Sequence, residues 1–178
     1  YFFRPLEVSD TGTRDMLLRL TWSDAGYSVT IQSDVTSRGR PGFQLNAQAN
    51  ISLTRQTRPA PVDIAAITAR CTDQSADDPS GHVSPQEAHL AFGPRWCVLR
   101  TMAYGRDEGL ARLRLPEPFH GDLTDGYLLH PAVLDLATGW AMKLIDGYAS
   151  QHLWVPVSYR SVKVYAPLPA QVVSWVRN

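Results

Sequence analysis

The stretch YLLHPAVLDLATGWAMKLIDGY, residues 127–148, sets one carboxylic acid, Asp135, among apolar neighbours, with Gly139 one helical turn further on. A carboxyl group withdrawn from water keeps its proton to higher pH, and a proton held near neutrality suits a general acid. Leu134, Leu136 and Trp140 flank Asp135 in sequence, so it is expected to be mostly buried, to line a pocket and to have a raised pKa. The competing reading is an acidic side chain favoured near a helix start by the dipole. Position alone leaves both open. Elsewhere there is no His-x-x-x-His, no CxxC, no phosphate-cradling glycine loop and no GxSxG. His82, His89, His120 and His152 read as surface or structural residues, and the five tryptophans as core rather than a base-stacking platform.

The elements that would position Asp135 follow from pattern. The 178 residues have room for one good core or two small ones. A hydrophobic content of 44%, 19% charged residues and a net charge of +0 describe an ordinary globular chain with no field for nucleic acid or an anionic membrane. Cys71 and Cys97 read as small core residues in a reducing compartment. No apolar run reaches the roughly 18 residues of a membrane span, and no signal peptide opens the chain, so a cytoplasmic location is expected. The opening YFFRPL reads as a strand entered halfway, part of a larger polypeptide.

GYSVTIQSDV alternates and is β-branched, and FQLNAQANISL puts Phe43, Leu45, Ala47, Ala49, Ile51 and Leu53 on one face. TSRGRPG supplies a turn between them. Residues 55–84 are polar and Pro-rich and read as a surface linker, with one or two helical turns in DIAAITA. From Pro85 onward, RWCVLRTMAYG and GLARLRL read as strands joined at GRDEG, and PEPFHGDLTDG as a loop. A helix is expected over 131–145, with Pro131 at its first position, an exit near Gly147, and Leu134, Ala137, Thr138, Ala141, Leu144 and Ile145 recurring at helical spacing. It reads as buried on most sides. SVKVYAPLPAQVVSWV reads as a hairpin turning at APLPA. Antiparallel strands around one apolar helix give an α+β class of hotdog type, although patterning leaves other α+β arrangements open.

LLHPAVLD resembles the HPALLD motif of the dehydratase domains of modular polyketide synthases, FGPRW resembles their YGPxF motif, and VPVSYRSV resembles the stretch that follows. YFFRPLEVSD and FQLNAQANISL resemble the last strands of the first of their two hotdog units. The resemblance implies a double hotdog dehydratase fold: residues 1–54 from a partial first hotdog, 55–84 a linker, and 85–178 a complete second hotdog whose central helix is wrapped by antiparallel sheet. It implies that Asp135 protonates the departing β-hydroxyl of an acyl chain. His130 and Pro131 would shape the helix start, with Tyr127, Leu134 and Gly139 beside the substrate. Phe92, Gly93 and Pro94 would line its tunnel, and Pro156 belongs to the third motif.

The family's base, a histidine in HxxxGxxxxP, has no match here and is expected upstream of Tyr1, which would leave the isolated chain inactive. Gly139 stands where the family commonly has Gln or His, and Phe92 where it has Tyr. The resemblance implies no cofactor of the chain's own, and a substrate carried on the phosphopantetheine of an acyl carrier protein. Its partners would be that carrier and other domains of the same synthase, with homodimerisation admitted and neither nucleic acid nor membrane. The departures keep a double-bond isomerase, an oxygen-ring-forming (pyran-type) relative and a non-catalytic acyl-binding unit as alternatives.

Overall fold

Alternating β-branched segments in the first third pair into an antiparallel sheet of three strands, in the order β1 (Met16–Ser23), β2 (Gly26–Ser37), β3 (Arg40–Ile51). The computed structural model describes residues 1–178 except the side chain of Pro85. The chain divides into two compact units: residues Tyr1–Thr57 with Val155–Lys163, and Arg58–Trp154 with Val164–Asn178.

In the first unit the β2–β3 turn places Arg38 and Gly39 at φ 49° and 75°, the paired positive values that match the twist of a tight hairpin. The register slips beside Ile31: Ile31 pairs with Ala47 but Gln32 with Leu45. This bulge moves the alternation by one residue, so Phe43 and Leu45 face opposite to Ala47, Ala49 and Ile51. The single apolar face expected from the sequence is therefore split. Asn46, at the slip, is buried; its side-chain Nδ2 donates to the Pro5 carbonyl, and its backbone carbonyl accepts from Phe3 N–H. β1 carries Leu18, Leu20 and Trp22 on one exposed side. The hairpin expected at APLPA has only its second arm as a strand. Residues 161–165 form no strand, and their apolar side chains are exposed.

The second unit is a four-stranded antiparallel sheet, β4 (Asp73–Gln74), β5 (Leu99–Tyr104), β6 (Glu108–Arg114) and β7 (Gln171–Arg177), in that spatial order. Helix α1 (Ile64–Arg70) starts at Asp63, whose carboxylate accepts from Ala66 N–H. Its Ile67 is buried with Cys71 against Ala103 and Leu110. Residues 55–84, read from sequence as a surface linker, thus include a packed helix and a short strand, because Ile64, Ile67 and Cys71 recur at helical spacing. Cys71 is buried as expected; Cys97 is exposed, since it ends the turn that leads into β5.

Helix α2 (Pro131–Gly139) is shorter than the 131–145 expected. Ala132, Val133, Leu136 and Trp140 bury against Val98, Leu99, Ala111, Leu113 and Leu115. One face is packed on the sheet, whereas Leu134 is half-buried and Thr138 exposed. The helix stops where Trp140 is pinned: its indole N–H donates to Ser174 Oγ at 3.0 Å, and Ser174 Oγ donates to the Ala137 carbonyl at 2.6 Å. Gly147, expected at the exit, lies in a later turn with φ 75°. β6 passes so close that a Cβ on Gly109 would lie 2.7 Å from the Trp140 ring. Among the described residues no helix is long and apolar enough to cross a membrane.

Sheet and α1 are clasped by Arg70, which donates to both oxygens of Glu108, while Trp175 Nε1 donates to Glu108 Oε2 at 2.8 Å. Arg70 first and Trp175 second hold the Glu108 carboxyl down at about 2. A carboxyl depressed on folding contributes stability above its unfolded pKa, and that contribution disappears as pH falls through the folded value. Stability is thus expected to fall between the ordinary glutamate range and about pH 2. Glu108→Gln should flatten this acid limb when denaturation midpoints are compared between neutral and acid pH. An unchanged acid limb in that variant would exclude the clasp as its source.

Candidate active site

The FGPRW segment folds as a stiff turn. Pro94–Trp96 form one 3₁₀ turn, with Trp96 N–H bonded to Gly93 O at 2.9 Å and Val98 N–H to Trp96 O at 2.7 Å. The Phe92 ring stacks on Trp96 with centroids 6.3 Å apart and planes within 14°. Trp96 is half-buried against the helix–sheet core. Its indole N–H points out of that core and donates to Asp135 Oδ2 at 2.8 Å, 39 residues away in the chain.

Helix α2 brings Asp135 to this point. Pro131 occupies the first helical position, where its missing N–H costs nothing, and Leu134 N–H closes the first turn on His130 O at 2.9 Å. The His130 side chain is 2% exposed, and its Nε2 lies 3.3 Å from Asp122 Oδ2. Arg95 donates to the same carboxylate through Nε at 2.7 Å and Nη2 at 3.3 Å, and its guanidinium lies 4.4 Å over the Phe119 ring. Hydrogen bonds from Arg95, and then from His130, hold the Asp122 carboxyl below the usual aspartate range. The Tyr127 ring meets His130 edge-on at 5.8 Å. Two consecutive residues of one turn, Arg95 and Trp96, therefore hold helix α2 at two points, through Asp122 and His130 at its start and at Asp135 one turn along.

Asp135 itself is exposed, which overturns the expectation of a carboxyl buried among Leu134, Leu136 and Trp140. Leu136 and Trp140 are four residues apart and share the face turned into the sheet, while Asp135 and Gly139 share the face beside it. Neighbours in sequence are thus not neighbours in space. A Cβ on Gly139 would meet only Met142 Cε, at 3.9 Å, so the flank of Asp135 is open. Gly93, Pro94, Tyr127 and Pro131 are exposed, and Leu134 and Phe92 are half-buried. Pro156 belongs to the first unit and is exposed. A hollow of about 300 Å³ lined by Asp77, Arg100, Arg112 and Arg114 includes none of these residues.

Three other histidines have structural tasks: His82, His89 and His120 contact backbone carbonyls of Ala76, Ser150 and Leu115 through Nε2. Among the described residues, no group of three or more His, Cys, Asp or Glu is placed to hold a metal ion. Sequence reasoning missed Arg95, Trp96 and Asp122. Trp96 closes a recognised motif and carries a donor-only N–H, which was a usable signal; nothing local pairs Arg95 with Asp122. Chemically, the arrangement offers a carboxyl group oriented by one N–H and accessible from outside, suited to giving or taking a proton.

Residues 59–178 match the family described as polyketide synthase dehydratase N-terminal domain. No curated protein matches the chain in sequence. Among solved structures, the dehydratase domain from the CurF module of curacin polyketide synthase is similar at a TM-score of 0.82 and 19% identity, over 99% of this chain and 62% of that one. The dehydratase domain from the CurK module is similar at 0.72 and 22% identity, over 99% and 61%. An inactive aspartate-to-asparagine mutant of CurK dehydratase gives the same values. The chain spans less than two thirds of the length of these structures. Their likeness shows the fold, an α+β hotdog architecture.

Proposed function

Since the chain belongs to the polyketide synthase dehydratase family, we propose that it carries the proton-donating half of a dehydratase site, with Asp135 as general acid. The substrate is a β-hydroxyacyl thioester on the phosphopantetheine of an acyl carrier protein. A base removes the α proton, the electron pair forms the α,β double bond, and the β C–O bond breaks as Asp135 protonates the departing oxygen. The products are water and the α,β-unsaturated thioester.

One observation carries this reading: the HPAVLD helix and the FGPRW turn meet at Asp135, with Trp96 aiming the carboxyl group. The base is assigned to a histidine preceding Tyr1, in keeping with the rings of His82, His89, His120 and His130 being engaged elsewhere. CurK dehydratase has inactive mutants at a histidine and at an aspartate, the pair this mechanism requires. Tyr127, Phe92, Gly93, Pro94, Leu134 and Gly139 are assigned to the acyl chain and its arm, and Pro156 to the same domain's substrate path. Residues 1–54 are read as closing strands of a first hotdog and 85–178 as a second. The reaction uses no cofactor of the domain's own. The carrier protein and neighbouring synthase domains are the proposed partners, in the cytoplasm.

General acid–base elimination needs donor and acceptor within hydrogen-bond reach of one substrate. The complete domain should convert a β-hydroxyacyl carrier protein to a species lighter by one water in intact-protein mass spectra, and the 178-residue chain alone should not. Turnover by the chain alone would refute the external base. A complete domain inert toward several β-hydroxyacyl chain lengths would refute dehydration.

A further inference from the structure

We propose that Trp96 is the positioning residue for the Asp135 carboxyl group, taking the place of a partner that the helix itself does not provide. The inference rests on Asp135 being the proton donor. A carboxyl group on an exposed helix face rotates among several orientations unless something holds it, and proton transfer requires one of them. The position best placed to hold it from the same helix is four residues on, and there stands Gly139, which has no side chain and where a Cβ would meet only Met142 Cε, at 3.9 Å. The hold comes from another element: Trp96 Nε1 donates to Oδ2 at 2.8 Å. The donor is rigid. Its ring is stacked on Phe92, packed on the helix–sheet core and carried by a turn closed by the Gly93 O and Trp96 O hydrogen bonds. An indole N–H only donates, so it marks one carboxyl oxygen as acceptor and leaves the other to the substrate.

Position 139 and Trp96 are thus two routes to one task, and each should be able to stand in for the other. In the complete domain, Trp96→Phe keeps an aromatic ring, smaller than the indole, and removes the donor. It should lower kcat by about 10- to 100-fold with KM changed by less than about twofold and a melting temperature lowered by no more than about 5 °C for the lost ring volume. Adding Gly139→Gln to that variant supplies a donor one turn from Asp135 and should restore at least about tenfold of the lost kcat, whereas Gly139→Leu should not. A Trp96→Phe enzyme with wild-type kcat, beside an inactive Asp135→Asn enzyme, would overturn the positioning role while leaving the dehydratase reading intact. An active Asp135→Asn enzyme would instead overturn the reading of Asp135. The hydrogen bond has its own readout: the Trp96 indole N–H proton resonance in wild-type protein should move upfield in Asp135→Ala. A resonance that stays in place would overturn the contact whatever the kinetics show.

Discussion

Asp135→Asn in the complete domain is expected to reduce dehydration by about 10²- to 10⁴-fold, the range that a positioned general acid contributes, with no loss of stability. Asparagine has the same shape, and its carbonyl oxygen can still accept from Trp96 Nε1, so the 2.8 Å contact survives. What disappears is the proton: an amide cannot pass one to a leaving hydroxyl. Stability should not change, because Asp135 is exposed and the load of helix α2 falls on Ala132, Val133, Leu136 and Trp140. Single-turnover mass spectrometry of the acyl carrier product, with a thermal melt of the same sample, measures both quantities. Retained turnover would remove Asp135 from the chemistry, and a lowered melting temperature would show that its role is structural.

The largest loss of stability is expected at Trp140. Its side chain is 2% exposed, its ring packs on Tyr104 at 5.2 Å, and its N–H is bonded to Ser174. Trp140→Ala should cost about 3–5 kcal/mol, as truncating a buried aromatic removes transfer energy and leaves a cavity. The site is poorly able to collapse, because the backbone of β6 at Gly109 is already set to the ring. A change of that size should lower the melting temperature by roughly 10 °C in a chain of this length. Trp140→Phe should lose less, since it keeps one aromatic ring while giving up the rest of the indole and the bond to Ser174. If Trp140→Ala cost under about 1 kcal/mol, the helix would not depend on this anchor.

Strands β2, β3, β5 and β6 were legible from the sequence because period-two alternation, β-branched residues and Gly-containing turns act locally. The start of α2 was legible for the same reason, since Pro131 suits a first helical position whatever surrounds it. The motifs HPAVLD and FGPRW can be recognised as strings, and they pointed to Asp135. Other features depend on partners remote in the chain. The bulge opposite Ile31 lies where the N-terminal segment bonds to Asn46, and it divides a face that alternation alone makes continuous. The end of α2 is set by β7, where Ser174 fixes Trp140, and the buried side of the helix is whichever side the sheet covers. Apolar neighbours in sequence suggest a buried Asp135, yet at 3.6 residues per turn those neighbours lie on another face. The contact of Trp96 with Asp135 closes across 39 residues. It exists only because the turn before β5 and the first turns of α2 pack on one core, which no local pattern in the chain encodes.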